Sequence, residues 1–417
     1  MGKRYLPAVA VVIAVILFLL WAAGRINGPD APPDRPALRV DSRLWSQPHE
    51  RQFVEREIIE PFEREHQCRV DLQVFSDERL LQRAEVQHET GNIATDVVIA
   101  YVSRMPQWVE RGYVADLSGH AALWEARAFA PGFAEMTTYD GTRPFLPIGA
   151  DVYLLCAATE ALEHLPQGAD PQEITWGQLA EWARNVAEAE GRGRFAVTGA
   201  AQTMLIYQVA AAILSYGGGF PDVASDEALD AWEALAGLRD TLAPTVRTFS
   251  SIVPPMKRGE AWLAVAHNAR VGEVYASNPT GFVIAPAPRG PAGRGSVAGV
   301  SGLGIMKGAP NEDLAVKFLE YITRPDTQVE LSKGAGGFIP TVLESVPMLG
   351  ESVEDEVIHK SMQVLEEGRL AYIPPMADWE TVKLVYDEAF EKIVLRDGQV
   401  DVDYLRQAQA RIDALKP

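Results

Sequence analysis

VAGVSGLGIM (297–306), KGAPN (307–311), EDLAVKFLEYI (312–322) and TRPDTQVELSKGAGGFIPT (323–341) form one continuous run whose reading decides the fold. Val297 to Met306 is short, apolar and glycine-rich, which predicts a buried strand where other backbone comes close. Lys307-Gly308-Ala309-Pro310 is a turn. Asn311 is positioned as an N-cap, with Glu312 and Asp313 facing the positive end of the helix dipole. Leu314, Phe318 and Ile322 recur at helical spacing and give one apolar face. Thr323-Arg324-Pro325 ends that helix. A second short helix runs to the glycines at 334, 336 and 337, and Ile339-Pro340-Thr341 leaves extended.

Moving outward, the chain has 417 residues, more than one compact core accommodates, so two lobes or domains are expected. The formal charge is 38 − 57 = −19, a surface that repels nucleic acid and anionic lipid. Cys68 and Cys156 lie in apolar strand-like runs and read as buried thiols, a disulfide being the alternative. CxxC, HExxH and P-loop patterns are absent from the sequence. Gly2-Lys3-Arg4 precedes an uncharged run from Leu6 to Gly24. Residues 1–24 therefore read as a signal peptide or an N-terminal membrane anchor, and 25–37, with four prolines, as a linker. The basic start places the rest of the chain outside the cytoplasmic membrane. No cysteine follows the apolar run closely enough to carry a lipid anchor.

From Leu38 the pattern is strand (38–44), helix (52–65, with Pro61 kinking or stopping it), strand (68–75), helix (78–88) and strand (94–100). That alternation predicts a parallel sheet with helices on both faces. Gly91 with Asp96-Val97-Val98, then Trp108-Val109, Gly112-Tyr113-Val114 and Leu117, follow in order. So do Pro147 and Asp151, the Thr175-Trp176 helix start, an apolar helix from Ala200 to Leu214, Met256 to Trp262, the KGAPN turn, IPT, and a helix opened by Trp379.

This ordered set resembles the extracellular solute-binding proteins of ABC importers, of the sugar-binding, maltodextrin-binding-like type. The resemblance spans about 38–417. It departs at Cys156-Ala157-Ala158, where the family has a Tyr-Asn pair. It implies a periplasmic-binding-protein-like α/β fold: two α/β lobes joined by crossing segments, with a ligand cleft between them. The lobes would be 38–151 plus 299–341 and 152–298 plus 342–417, with crossings near Asp151, Val300 and Thr341.

In open α/β sheets ligands sit at the carboxyl ends of strands. Trp45, Tyr101, Arg104, Asp151, His267, Asn268, Arg270, Ser301 and Trp379 follow or close predicted strands or open the last helix. Aromatic rings stack on the C–H face of a pyranose, and carboxylate, amide and guanidinium groups pair with its hydroxyls. The resemblance implies that Asp151 and Trp379 meet sugar and that an aromatic residue stands at or beside Tyr101. Structural readings stand beside these. Trp45 and Tyr101 also suit packing between lobes, Trp262 a core, His49 a surface loop, and Arg104 and Arg270 ordinary pairing with carboxylates. The expected function is an extracytoplasmic, monomeric solute-binding component that delivers a carbohydrate or related polyol to a membrane permease. Neither catalytic residues, cofactor nor metal is expected. The alternatives are ferric-ion binding, with His49 in reach but no Tyr-Tyr pair, polyamine binding at Asp151, and a membrane-tethered sensory module.

Overall fold

The computed structural model describes residues 35–129, 133–197, 205–334, 338–374, 376 and 378–416. The expected signal or anchor, nearly all of the linker and the first turn of the helix expected from Ala200 lie outside the described residues. No helix among the described residues is long and apolar enough to cross a membrane.

The strands in chain order are β1 (Ala37–Ser42), β2 (Arg69–Val74), β3 (Val97–Tyr101), β4 (Leu146–Asp151), β5 (Tyr153–Ala158), β6 (Phe195–Ala196), β7 (Leu263–His267), β8 (Phe282–Pro286), β9 (Arg289–Gly290), β10 (Gly293–Val297), β11 (Gly299–Ile305) and β12 (Gly368–Ala371). They form a five-stranded sheet ordered β2-β1-β3-β11-β4, a four-stranded sheet β6-β7-β5-β8, and a three-stranded sheet β12-β10-β9. β1 pairs in parallel with β2 and β3, as the alternating opening predicts, while β11 enters antiparallel between β3 and β4. The large sheets belong to two α/β lobes. The chain passes from one to the other through Val152, the single residue separating β4 from β5, and returns through Ala298 between β10 and β11. Residues near Ile339 lie back along β4, where Ala150 and Ile339 exchange backbone hydrogen bonds.

Gly299–Ile305 of the run 297–306 forms one buried strand, as the sequence predicts, while Val297 ends β10 in a different sheet. The expected close approach is real, but its partner is a ring. A Cβ at Gly302 or Gly304 would lie 2.9 or 2.8 Å from Phe145 side-chain carbons, so only glycine lets that buried ring lie flat against β11.

The helix Glu312–Ile322 buries Leu314, Phe318 and Ile322 as its spacing predicts, with Phe318 edge-on to Phe62 at 5.1 Å. Asn311 departs from expectation, making no side-chain cap. Its backbone N–H donates to Asp96 Oδ1 (2.7 Å) and its side-chain amide to the Ala37 carbonyl (3.1 Å). Asp96 also accepts the Arg39 N–H (2.8 Å), so one fully buried carboxylate ties β1, β3 and the KGAPN turn together. Pro61 neither stops its helix nor leaves it regular. Pro48–Phe53 passes through a π-helical segment, Val54–Ile59, into Glu60–His66. Widening the coil just before the proline accommodates its missing N–H and its ring. Thr175 and Gln178 form a reciprocal capping box on the helix Trp176–Glu190. Cys68 and Cys156 are both free and buried.

In the second lobe the helix Trp379–Phe390 packs on the apolar helix Leu205–Tyr216. Asp387 accepts the Leu205 N–H there, and burial pushes its carboxyl from 3.8 up to about 7, against the pull of Lys383. The folded state therefore holds the proton more tightly than the unfolded chain. The stability this contributes is present at low pH and lost as pH rises from about 4 to about 7. Asp387→Asn is expected to leave the unfolding free energy nearly unchanged at pH 4 and to raise it at pH 8, by about 1–2 kcal/mol once solvent screening is allowed for. Equal shifts at both pH values would contradict this origin.

Candidate ligand-binding cleft

The carboxyl ends of β1, β3, β4, β7 and β10 converge on a cavity of about 740 Å³ between the lobes. After β1 the chain turns sharply. The Leu44 N–H donates to Ser42 Oγ (2.9 Å), and Trp45 adopts the left-handed region at φ 63°. A bulky aromatic residue there is strained by roughly 1–3 kcal/mol, a cost met at ligand clamps and switch regions. The turn brings Trp45 to the cleft wall, 3% exposed, with an indole N–H that has no protein partner.

Arg43 lies over the Tyr101 ring, 3.2 Å from guanidinium carbon to ring centroid. It donates to Ser301 Oγ (3.0 Å) and Asp77 Oδ2 (3.2 Å). Tyr153 and Tyr207 stack at 6.4 Å on the second lobe's wall. Burial raises all three phenols above their ordinary value, Tyr207 to about 12. They stay protonated at ordinary pH, so each presents an apolar ring and a neutral hydroxyl.

Asp151 closes β4 at the crossing. Its Oδ1 accepts the Gly299 N–H (3.0 Å) and its Oδ2 faces His267 Nε2 (3.1 Å). A Cβ at residue 299 would sit 2.6 Å from Oδ1, so glycine is what allows this bond. Arg270, from the helix after β7, pairs with Glu273 (2.9 Å) on its own helix and reaches Glu50 (3.1 Å) on the first lobe. The pair with Glu50 spans the cleft.

The cleft thus gathers Trp45, Tyr101, Asp151 and Arg270, as read from strand ends, and His267 with them. Four other candidates are placed elsewhere. Arg104 is bound to Glu78 (2.6 Å) and does not line the cleft. Asn268 is fully buried at the start of its helix, its N–H donating to the Val152 carbonyl (2.9 Å). Ser301 is 1% exposed and acts by holding Arg43. Trp379 lies one side chain back from the wall, its ring edge-on to Phe220 at 5.9 Å and its side chain hydrogen-bonded to Tyr207. His49 is exposed at the cleft's mouth, and Trp262 is half-buried beside His164 and Arg194 rather than sealed in a core.

Arg43, Glu50, Tyr153, Tyr207 and Glu273 were not singled out by sequence. Arg43 and Tyr153 flank strand ends and the strand-end rule reaches them. Glu50, Tyr207 and Glu273 sit on helices with no local mark. Among the described residues no group of three or more His, Cys, Asp or Glu gathers to hold a metal ion.

A comparison with curated proteins by sequence gives no match. The fold is found in solved structures. Maltose-bound MalE3 of T. maritima superimposes with TM-score 0.73 at 20% identity, covering 91% of this chain and 99% of that one. The GacH receptor of Streptomyces glaucescens gives 0.73 at 18%, covering 92% and 100%. The cycloalternan complex of the substrate-binding protein Lmo0181 from Listeria monocytogenes gives 0.72 at 13%, covering 91% and 99%. At these identities the likeness is one of fold. The bacterial extracellular solute-binding protein family matches residues 57–360, and this chain, a two-lobed binding protein with an interlobe cleft, belongs to that family.

Proposed function

We propose that this chain binds a neutral carbohydrate or related polyol in the interlobe cleft and delivers it to the permease of an ABC importer. The carrying observation is the cleft's chemistry. Aromatic rings (Trp45, Tyr101, Tyr153, Tyr207) stand beside polar groups held in pairs, Asp151 against His267, Arg43 with Asp77, and Arg270 with Glu50 and Glu273. Both guanidiniums, Arg43 and Arg270, have carboxylate partners, which disfavours an anionic ligand. Paired charges still accept and donate hydrogen bonds, which suits hydroxyls. Maltose, acarbose and cycloalternan in the similar folds agree with this reading. Division into lobes at 38–151 plus 299–341 and 152–298 plus 342–417 agrees with the strand membership of the two large sheets. Residues 1–24 then export the chain, as a signal or a retained anchor, so that it works outside the cytoplasmic membrane.

A thermal-shift screen tests the assignment. A ligand at about 100 times its dissociation constant adds about 2.7 kcal/mol to native stability. Maltose, maltotriose or another sugar is expected to raise the melting temperature by several degrees. A shift with spermidine or ferric citrate and none with any sugar would replace this reading with an amine- or metal-binding one.

A further inference from the structure

A second compartment of about 190 Å³ shares Tyr101, Gly299 and Ile373 with the cleft, so the two spaces adjoin at these residues. Their linings differ. The cleft is walled by paired charges and phenols, the recess by Val102, Met105, Pro106, Met136 and Val300. Sugar hydroxyls entering the recess would lose water and find few partners, which is unfavourable. Hydrocarbon entering it would gain contact on several sides. In size, an engineered apolar cavity of about 150 Å³ admits benzene and excludes water. This recess is large enough for a ring or a short alkyl chain.

The wall between the two spaces is held in place. Arg43 covers the Tyr101 ring and is fixed in turn by Asp77 and Ser301. Asp151, which lines the cleft, bonds the backbone of Gly299 at the shared edge. A molecule whose polar part meets Asp151 therefore lies beside Gly299, a residue common to both linings.

We infer that the preferred ligand is a glycoside with an apolar aglycone of about phenyl size, its sugar in the cleft and its aglycone in the recess. This deepens the carbohydrate reading and rests on it. The test compares sugars with their own phenyl and butyl glycosides, glucose and maltose serving as parents. Calorimetry uses the full chain, handled without alkyl-glycoside detergents, which would compete. Phenyl glycosides are expected to bind roughly tenfold or more tighter than their parent sugars, the share of apolar transfer that survives the cost of ordering the aglycone. Met136→Trp fills the recess and is expected to collapse that ratio towards one. Ser103→Phe, at another point of the lining, does the same and decides the matter if the first variant melts early. Equal affinity of parent and phenyl glycoside overturns the inference and leaves the carbohydrate reading standing. A ratio kept by both folded variants also overturns it, because the gain then arises elsewhere. Absence of binding by sugars and glycosides alike overturns both.

Discussion

Arg294→Met is expected to lower the unfolding free energy by roughly 2–5 kcal/mol, read as a drop in the urea midpoint with the slope unchanged. The side chain is fully buried on β10. It donates to the carbonyls of Ala287 and Gln172, each at 2.7 Å, and to Glu173 at 3.0 Å. The loss comes from the carbonyls and not from the acids. Glu173 and Glu367 are 51% and 40% exposed, so water reaches them, and Arg289 pairs with both at 2.6 and 2.8 Å. The two carbonyls face the volume that methionine fills with hydrocarbon, and each unpaired buried acceptor costs about 1–3 kcal/mol. Arg289→Met supplies the contrast. Its side chain is 33% exposed and its partners keep Arg294 or water, so its loss is expected to cost under about 1 kcal/mol. Equal effects of the two substitutions would mean that charge in this cluster matters and carbonyl satisfaction does not.

Arg294 also shows where sequence reading stops. It stands in GPAGRGSV, a glycine-rich, polar stretch that looks like a surface turn. Its burial depends on residues 172–173, 287 and 367, which no local pattern connects to it. Features made within a few residues were legible. The apolar stripe 314–318–322, the Thr175 cap with Gln178 three residues on, and the alternation that builds β1 to β3 each carry their cause in local spacing. Features that need a distant partner were legible only in part. Gly302 and Gly304 announced a close approach without naming Phe145. Asn311 stood at the right place for a cap, but the buried Asp96 offered a better partner.

The cleft divides the same way. The strand-end rule locates backbone, not side-chain direction. It therefore found Trp45, Tyr101, Asp151 and Arg270, and equally Arg104, Asn268 and Ser301, whose side chains the fold directs to Glu78, the interior and Arg43. Trp379, carried over by resemblance, packs edge-on to Phe220 and hydrogen-bonds Tyr207, itself part of the cleft wall.

Asp151→Ala is expected to weaken sugar binding roughly 10- to 100-fold, which at 1.4 kcal/mol per decade matches the loss of one or two hydrogen bonds to a charged group. A carboxylate has about four acceptor positions. Asp151 commits one on Oδ1 to the Gly299 N–H and faces His267 with Oδ2, so acceptor capacity on both oxygens remains for ligand hydroxyls, and its side chain is 15% exposed where it lines the cleft. Its position compounds the effect. The same carboxylate joins the end of β4, the start of β11 and the end of β7, so a ligand bound to it is bound where the chain crosses between the two large sheets. Asp151→Asn separates the two contributions. The amide keeps an oxygen for Gly299 but loses the charge and one acceptor, so its affinity is expected to fall between wild type and Asp151→Ala. The measurement is calorimetric titration with whichever sugar raises the melting temperature most, alongside urea unfolding of each variant without ligand. Unchanged affinity in Asp151→Ala with the fold intact would remove this carboxylate from the site, and the acceptor role would pass to Glu50 or Glu273, which line the same cleft.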